Sequence, residues 1–514
     1  MNGAESLVRT LVAGDVTVCF ANPGTSEMHF VAALDRVEGM RCVLGLFEGI
    51  VTGAADGYAR MAMSPACTLL HLGPGLANGL ANIHNAGRAS TPMINIVGDH
   101  ATYHRRYDAP LTSDIEGAAR PFSHWVRTSA SAAEVSRDAA EAVAAASTPP
   151  GRIATLILPA DTAWNEADGI AAVPPAPPRP RVQTEAVANA ARVLRESKRV
   201  LILVGGAALY EGPLATAGQI AAATGAALMA GTFNARIERG AGRVFVDRVP
   251  YVVDLALKRL AGFEHVILAG AKPPVAFFAY PDKPSLLTPS SCEIHVLAKP
   301  DEDVVQALDW LADEVGARRI RAPVQAPEHP GLPQGALAPE TLGAALAALL
   351  PENAIVVDES VSSGRGFFPA TRGAGPHDWL ANMGGSIGLG LPLATGAALA
   401  CPGRKVICLE GDGSGMYTPQ ALWTQAREGL DVTTVVLANR SYAILRSELA
   451  NVGAQNPGRK ALDLLDLRQP DLDWTNLARG MGVEAVRAAT LDEFIHAFRA
   501  GLATPGPYLV EVLL

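Results

Sequence analysis

A chain of 514 residues exceeds what one hydrophobic core supports, and its 49% apolar content is ample for about three domains of ~150 residues each. With 42 Lys and Arg against 51 Asp and Glu, the net charge of −9 excludes a basic footprint for nucleic acid, and no run of like charge suggests an interaction tail. No apolar run reaches ~18 residues without polar interruption, which argues against a membrane-spanning helix. The segment Met1 to Ser6 has Glu5 where a signal peptide would be basic, and no apolar h-region follows. The six cysteines are scattered, without a Cys-x-x-Cys, and read as buried small hydrophobes in a reducing compartment. A soluble cytoplasmic enzyme is the expectation.

In chain order, the short apolar stretch Val43 to Phe47 leads through Glu48 into a Gly- and Ala-rich helical pattern. Buried strands are predicted at Cys67 to His71, which opens into Gly73-Pro74-Gly75, and at Pro92 to Val97. The titratable cluster Asp99 to Asp108 follows, including His100, His104, Arg105 and Arg106. It reads as a solvated loop or as a source of proton donors and carboxylate binders. The proline-rich stretch 173–181 cannot continue a helix or a central strand and reads as a linker. Beyond it, the predicted strand Val200 to Val204 ends in Gly205-Gly206. A second proline-rich linker runs from Ala322 to Pro339. These marks predict an α/β chain of three consecutive doubly wound parallel-sheet domains, at 1–172, 182–322 and 340–514.

The last third holds the most informative pattern. An apolar strand over Val406 to Leu409 runs into Gly411-Asp412-Gly413-Ser414, and a second strand over Thr433 to Leu437 runs into Asn439. An α/β crossover brings both strand ends to one sheet edge, so Asp412 and Asn439 face one point. With the main-chain carbonyl of Ser441 they offer three hard oxygens, which suit Mg2+. Gly411 and Gly413 let the backbone approach a diphosphate. A Gly-Asp-Gly turn alone is ordinary turn chemistry; its company gives it weight. Glu48 at a strand-to-helix junction is a candidate buried acid of raised pKa, or simply a helix-capping acid.

Gly411 to Ser414, the segment Asn382 to Pro392, and Glu48-Gly49 with Gly53 to Arg60 occur in an order that resembles thiamine-diphosphate enzymes. With Asn22-Pro23-Gly24-Thr25 and His71, the chain is most similar to the benzoylformate decarboxylase and acetolactate synthase group. The resemblance implies thiamine diphosphate and Mg2+ as cofactors and Glu48 as the carboxyl that activates the aminopyrimidine. It implies further cofactor contacts at Asn22, Pro23, Ser362, Gly385, Ser414 and Tyr442, with Ile387 as an apolar wedge beneath the rings. His71 and Thr25 correspond to active-site positions of benzoylformate decarboxylase. That enzyme's second active-site histidine has no counterpart; the matching stretch offers Phe277 and Phe278, a substrate wall or plain core. The flavin-binding features of acetolactate synthases are missing, and FAD is not expected.

The implied reaction is non-oxidative decarboxylation of a 2-oxo acid through a C2 ylide and an enamine. Protonation of the enamine makes a lyase; its capture by a second carbonyl makes a carboligase of acetolactate synthase type. A silent cofactor-binding partner is the remaining expectation. The resemblance also implies a site shared between two subunits, hence a homodimer as the minimal unit and a homotetramer as the common form.

Overall fold

Uninterrupted β-branched and aliphatic runs such as Val200-Leu201-Ile202-Leu203-Val204 suit strands covered on both faces, and all five of these residues are buried. The computed structural model describes residues 1–454 and 456–514 and assembles such runs into three sheets. The first contains β1 (Val18–Asn22), β2 (Arg41–Leu44), β3 (Ala66–Leu70), β4 (Met93–Asp99), β5 (Trp125–Thr128) and β6 (Ile153–Pro159). Its order is β2-β1-β3-β4-β6-β5, parallel throughout. The chain steps outward in opposite directions from β1 and β3, so their carboxyl ends, Asn22 beside Leu70, flank the crevice where open α/β sheets bind ligands.

The second sheet uses β7 (Val200–Val204), β8 (Ala227–Ala230), β10 (Asp247–Arg248), β11 (His265–Ala269) and β12 (Glu293–Ala298), in the order β10-β8-β7-β11-β12. The omitted β9 (Ile237–Arg239) belongs to the third sheet. That sheet adds β13 (Ile355–Glu359), β14 (His377–Ala381), β15 (Val406–Gly411), β16 (Val432–Ala438), β17 (Glu484–Ala488) and β18 (Tyr508–Leu513), ordered β17-β18-β16-β15-β13-β14-β9. It is parallel except at β9, which pairs antiparallel with β14. Its switch point lies between β13 and β15, where Glu359 and Glu410 are in register.

The expected all-parallel third domain therefore receives one antiparallel edge strand from the middle of the chain. The side chain of Arg239 is the anchor. It is buried, with donor bonds to the Phe368 carbonyl (2.5 Å) and the Thr371 hydroxyl (2.8 Å). The proline-rich linker is laced to the same edge, with Gln325 N on Arg243 O and Glu328 N on Gly373 O, both 2.8 Å.

One apolar core runs through both outer sheets, because helix Glu48–Ala62 packs on helix Gly390–Ala400. Their glycines permit this approach: a Cβ on Gly57 would lie 2.1 Å from Leu393 O, and one on Gly396 1.9 Å from Ala54 O. Asp56 and Arg60 form a buried ion pair at 2.5 Å, and Arg60 also donates to Ala381 O at 2.8 Å, tying the first helix to β14. The cysteines depart from expectation. Only Cys19, Cys67 and Cys408 are buried, and Cys19 is in register with both Cys42 and Cys67 across three strands. Among the described residues, no helix is long and apolar enough to cross a membrane.

Candidate active site

Two groups of the residues singled out in the sequence come together, one at each outer sheet. At the third sheet, β15 and β16 are neighbours, so the turns after Gly411 and after Ala438 meet. Asp412 accepts the Gly413 N–H at 3.0 Å on one oxygen and the Arg440 N–H at 2.7 Å on the other. Arg440 takes a left-handed backbone (φ 55°) to present that N–H. Asn439 Oδ1 accepts the Ser441 N–H at 2.9 Å, and its amide donates to Ser363 Oγ at 3.1 Å. Burial pushes the Asp412 carboxyl up to about 6, against the two backbone donors that favour its charge. A cation beside it would relieve that penalty. The ring of Tyr442 lies over Gly413, where a Cβ would come within 2.6 Å of Cε1.

Beneath this turn lies a carboxyl pair not singled out in the sequence. Glu359 accepts three backbone N–H groups, from Gly388 (3.0 Å), Leu389 (2.9 Å) and Gly390 (2.8 Å), and the Asn382 amide at 2.9 Å. Glu410 is fully buried, and its pKa is driven well upward by burial and by the charge of Glu359. Four donors favour the charged form of Glu359, so the proton of the pair resides on Glu410. Ser414 turns its hydroxyl inward to Glu410, at 2.6 Å. Its side chain thus points into the protein, leaving its main chain at the predicted cofactor surface.

The glycine segment is tied between the two outer sheets. Asn382 Oδ1 accepts the N–H groups of Gly384 (3.1 Å) and Gly385 (2.8 Å), while Asn85, from helix Leu72–Arg88, donates to Ser386 O at 2.8 Å. Gly385 is exposed at φ 80°, and the Phe277 ring stands 2.4 Å from where its Cβ would be. Ile387 is half-buried beside it. Phe277 and Phe278 are 40% and 55% exposed, so plain core does not describe them. They form an aromatic group with Phe233 and Tyr251, with Phe277 and Phe278 centroids 4.8 Å apart. Next to it, a cavity of about 210 Å³ is lined by Tyr251, Tyr280, Lys283, Arg365 and Glu448.

The first sheet carries the second group. Glu48 begins its helix, but its carboxylate accepts from Asn78 Nδ2 at 3.0 Å, and it is 8% exposed. His71 follows β3 at the switch point. Its Nδ1 meets Glu27 Oε2 at 2.9 Å, and Glu27 is itself buried, accepting the Gly24 N–H at 2.7 Å and the Ser26 hydroxyl at 3.0 Å. A carboxylate only accepts, so Nδ1 bears the hydrogen and Nε2 is left able to take or give a proton. Gly75 joins the two groups: a Cβ there would lie 2.9 Å from Glu48 Oε1 and 3.3 Å from His71 Cβ. Asn22 and Pro23 are half-buried at the end of β1, and Thr25 is exposed on the short helical turn next to them.

Glu27 escaped the sequence reading, although its place three residues after Gly24 at the start of a turn is a capping-box spacing. Ser362 is half-buried, while its neighbour Ser363 meets Asn439. In the loop after β4, Asp99 pairs with Arg105, and Arg106 stacks over the exposed Tyr107 at 4.9 Å. Residue 455, within the stretch 445–465 that could close over the site, lies outside the described residues. Among the described residues no hydrogen bond or ion pair joins Glu48 or His71 to Asp412 or Asn439.

The arrangement fits a diphosphate carried on a cation: the Asp412 carboxylate and the Asn439 amide lie on adjoining turns joined through the Arg440 N–H, and Gly413 leaves room beneath the Tyr442 ring. Comparison with known proteins agrees. Residues 1–119 match the thiamine pyrophosphate enzyme N-terminal TPP binding domain, and residues 366–512 match the C-terminal TPP binding domain of the same enzymes. The chain is 54% identical over its full length to a Mycobacterium tuberculosis protein named "Putative acetolactate synthase large subunit IlvX", covering 99% of that protein. It is 31% identical to a Pseudomonas aeruginosa benzoylformate decarboxylase, over 97% of this chain and 96% of the other. The solved structure of a thiamine diphosphate-dependent 4-hydroxybenzoylformate decarboxylase from Rhodococcus jostii RHA1 superposes with a TM-score of 0.86 at 25% identity, covering 99% of this chain and 98% of that one.

Proposed function

The chain belongs to the thiamine pyrophosphate enzyme family and is a cofactor-dependent 2-oxo acid enzyme; on that premise we propose that it is a non-oxidative 2-oxo acid decarboxylase, with domains at 1–172, 182–322 and 340–514. The observation that carries this reading is the Glu27–His71 pair beside Glu48, at the switch point of the first sheet. It offers an oriented imidazole whose free Nε2 can take up a proton and then return it to carbon, as a lyase needs.

The residues present would hold the cofactor from both outer domains. Asp412, Asn439 and the Ser441 carbonyl suit Mg2+, and the main chain of Gly411, Gly413 and Ser414, with Tyr442 and the 362–363 turn, suits the diphosphate. Asn22, Pro23, Gly385 and Ile387 would contact the rings. When bound, thiamine diphosphate supplies the electron sink that accepts the electrons left by departing CO2. Glu48, buried and held by Asn78, is placed to share a proton with the aminopyrimidine. Thr25 offers a hydroxyl for the substrate carboxylate, and Phe277 and Phe278 offer a wall that suits an aryl group over a methyl.

The second reading, a carboligase, is favoured by the name of the 54% identical relative. The deciding experiment strips the purified protein of cofactor and supplies benzoylformate or pyruvate, with and without thiamine diphosphate and Mg2+. Release of CO2 that depends on both cofactors, with benzaldehyde as the organic product, is expected. Acetolactate from pyruvate would replace the lyase with the carboligase.

A further inference from the structure

A cluster of side chains of metal-ligating type lies on the second sheet, away from both outer sheets. His265 opens β11 and is in register with Glu293, which opens β12; His295 follows two residues later on the same strand. Residues i and i+2 share a face, and in-register neighbours share it too, so all three side chains leave the sheet on one side. His265 Nδ1 and His295 Nε2 are 3.1 Å apart, and each is 3.7 Å from Glu293 Oε2. Donor atoms bound to one ion at about 2.0–2.1 Å stand about 3.0–3.4 Å from each other, depending on geometry. The observed triangle needs only a small contraction.

We infer that His265, Glu293 and His295 form a divalent transition-metal site, separate from the cofactor's cation, with two imidazole nitrogens, one carboxylate oxygen and an outward position open to water. The donor set selects the ion. Imidazole suits Zn2+ and its first-row neighbours, whereas Mg2+ prefers oxygen ligands throughout. The rest of the surroundings agrees. His295 is largely buried, with 12% of its side chain exposed, and its other nitrogen, Nδ1, lies 3.1 Å from the Asn189 amide on helix Thr184–Glu196. A ligating histidine donates its far N–H to an acceptor, and the Asn189 side-chain oxygen takes that part once the amide is turned.

In the metal-free arrangement His295 Nε2–H can donate to His265 Nδ1, with Nδ1 of His295 accepting from Asn189. Loading moves the His295 hydrogen to Nδ1 and turns the Asn189 oxygen to receive it. Arg192, which donates to that oxygen at 2.8 Å in the metal-free arrangement, then releases it and keeps its bond to Glu196. The strands concerned are neighbours, and β12 is the sheet's edge, so the ion would staple the edge strand to its partner. The open position would face solvent, because the Glu293 side chain is 69% exposed.

The test uses the full chain, freed of metals by chelation and then saturated with Mg2+ and thiamine diphosphate so that the cofactor's own site is filled. Titration with Co2+, followed by its visible absorption, is expected to show one equivalent bound per chain with few-coordinate intensity, displaced by Zn2+. Glu293→Gln and His265→Asn should abolish that band. Asn189→Ala should weaken binding by roughly tenfold. Zn2+ should raise the unfolding temperature of the wild type and leave that of Glu293→Gln unchanged. Glu293 is exposed, so its substitution keeps the fold intact. A Co2+ spectrum or stoichiometry unaltered by Glu293→Gln, or no binding to the wild type, would overturn the site.

Discussion

At the scale of single residues, the imidazole of His71 depends on a carboxylate 44 positions earlier in the chain. Glu27 holds the ring by one bond and the Gly24 backbone by another. His71→Ala should lower kcat by about 10²-fold or more under the decarboxylase reading, with the binding of thiamine diphosphate unchanged. Glu27→Gln, which keeps a side-chain acceptor but not its charge, should give a smaller loss; wild-type kcat in both variants would remove His71 from the chemistry. A different histidine, His377, should contribute to the loss of stability in acid. It is fully buried, and burial and Arg239 lower its pKa to about 3. Folded, it stays neutral, whereas unfolded it takes up a proton near 6.5, so stability falls as pH drops below about 6.5, by ~1.4 kcal/mol per unit. Urea unfolding at pH 7 and pH 5 should show about 2 kcal/mol less pH dependence in His377→Asn than in the wild type.

At the scale of elements, the contact between helices Glu48–Ala62 and Gly390–Ala400 decides how Glu48 stands against the third domain. A Cβ on Gly396 would lie 1.9 Å from the Ala54 carbonyl oxygen, and backbone cannot yield as a flexible side chain can. Gly396→Ala should therefore destabilise by about 1–3 kcal/mol or more, seen as a lower unfolding midpoint. Gly212→Ala, whose Cβ would meet nothing within 4 Å, is the control expected to change little. The predicted strands at Cys67 to His71, Val200 to Val204 and Thr433 to Leu437 were legible because both faces of each are buried, which writes a continuous apolar run into the sequence. Strand β9 was not. Its three residues, Ile237-Glu238-Arg239, carry no apolar run and exist as a strand only through pairing with β14.

At the scale of the whole molecule, the two residue groups occupy different sheets, and the described hydrogen bonds and ion pairs of one chain do not join them. A site completed across a homodimer, with pairing to a homotetramer, is a proposal that complementation tests. Co-expressed Glu48→Gln and Asp412→Ala chains, each inactive alone, should then recover roughly a quarter of wild-type activity, because mixed dimers hold one site with neither substitution. Absence of recovery in purified mixed dimers would place both groups in one chain's site. The sequence by itself determined the α/β class, the cofactor family and the Asp412–Asn439 turn pair, since a strand and the turn at its end are local features that repeat across one crossover. Only the tertiary structure decided that Glu27 orients His71, that Glu410 is buried in register with Glu359, that Phe277 stands over Gly385, and that His265 and His295 meet. Each of those pairs joins segments brought together by sheet order and packing, and no periodicity along the chain records which distant side chains such packing makes neighbours.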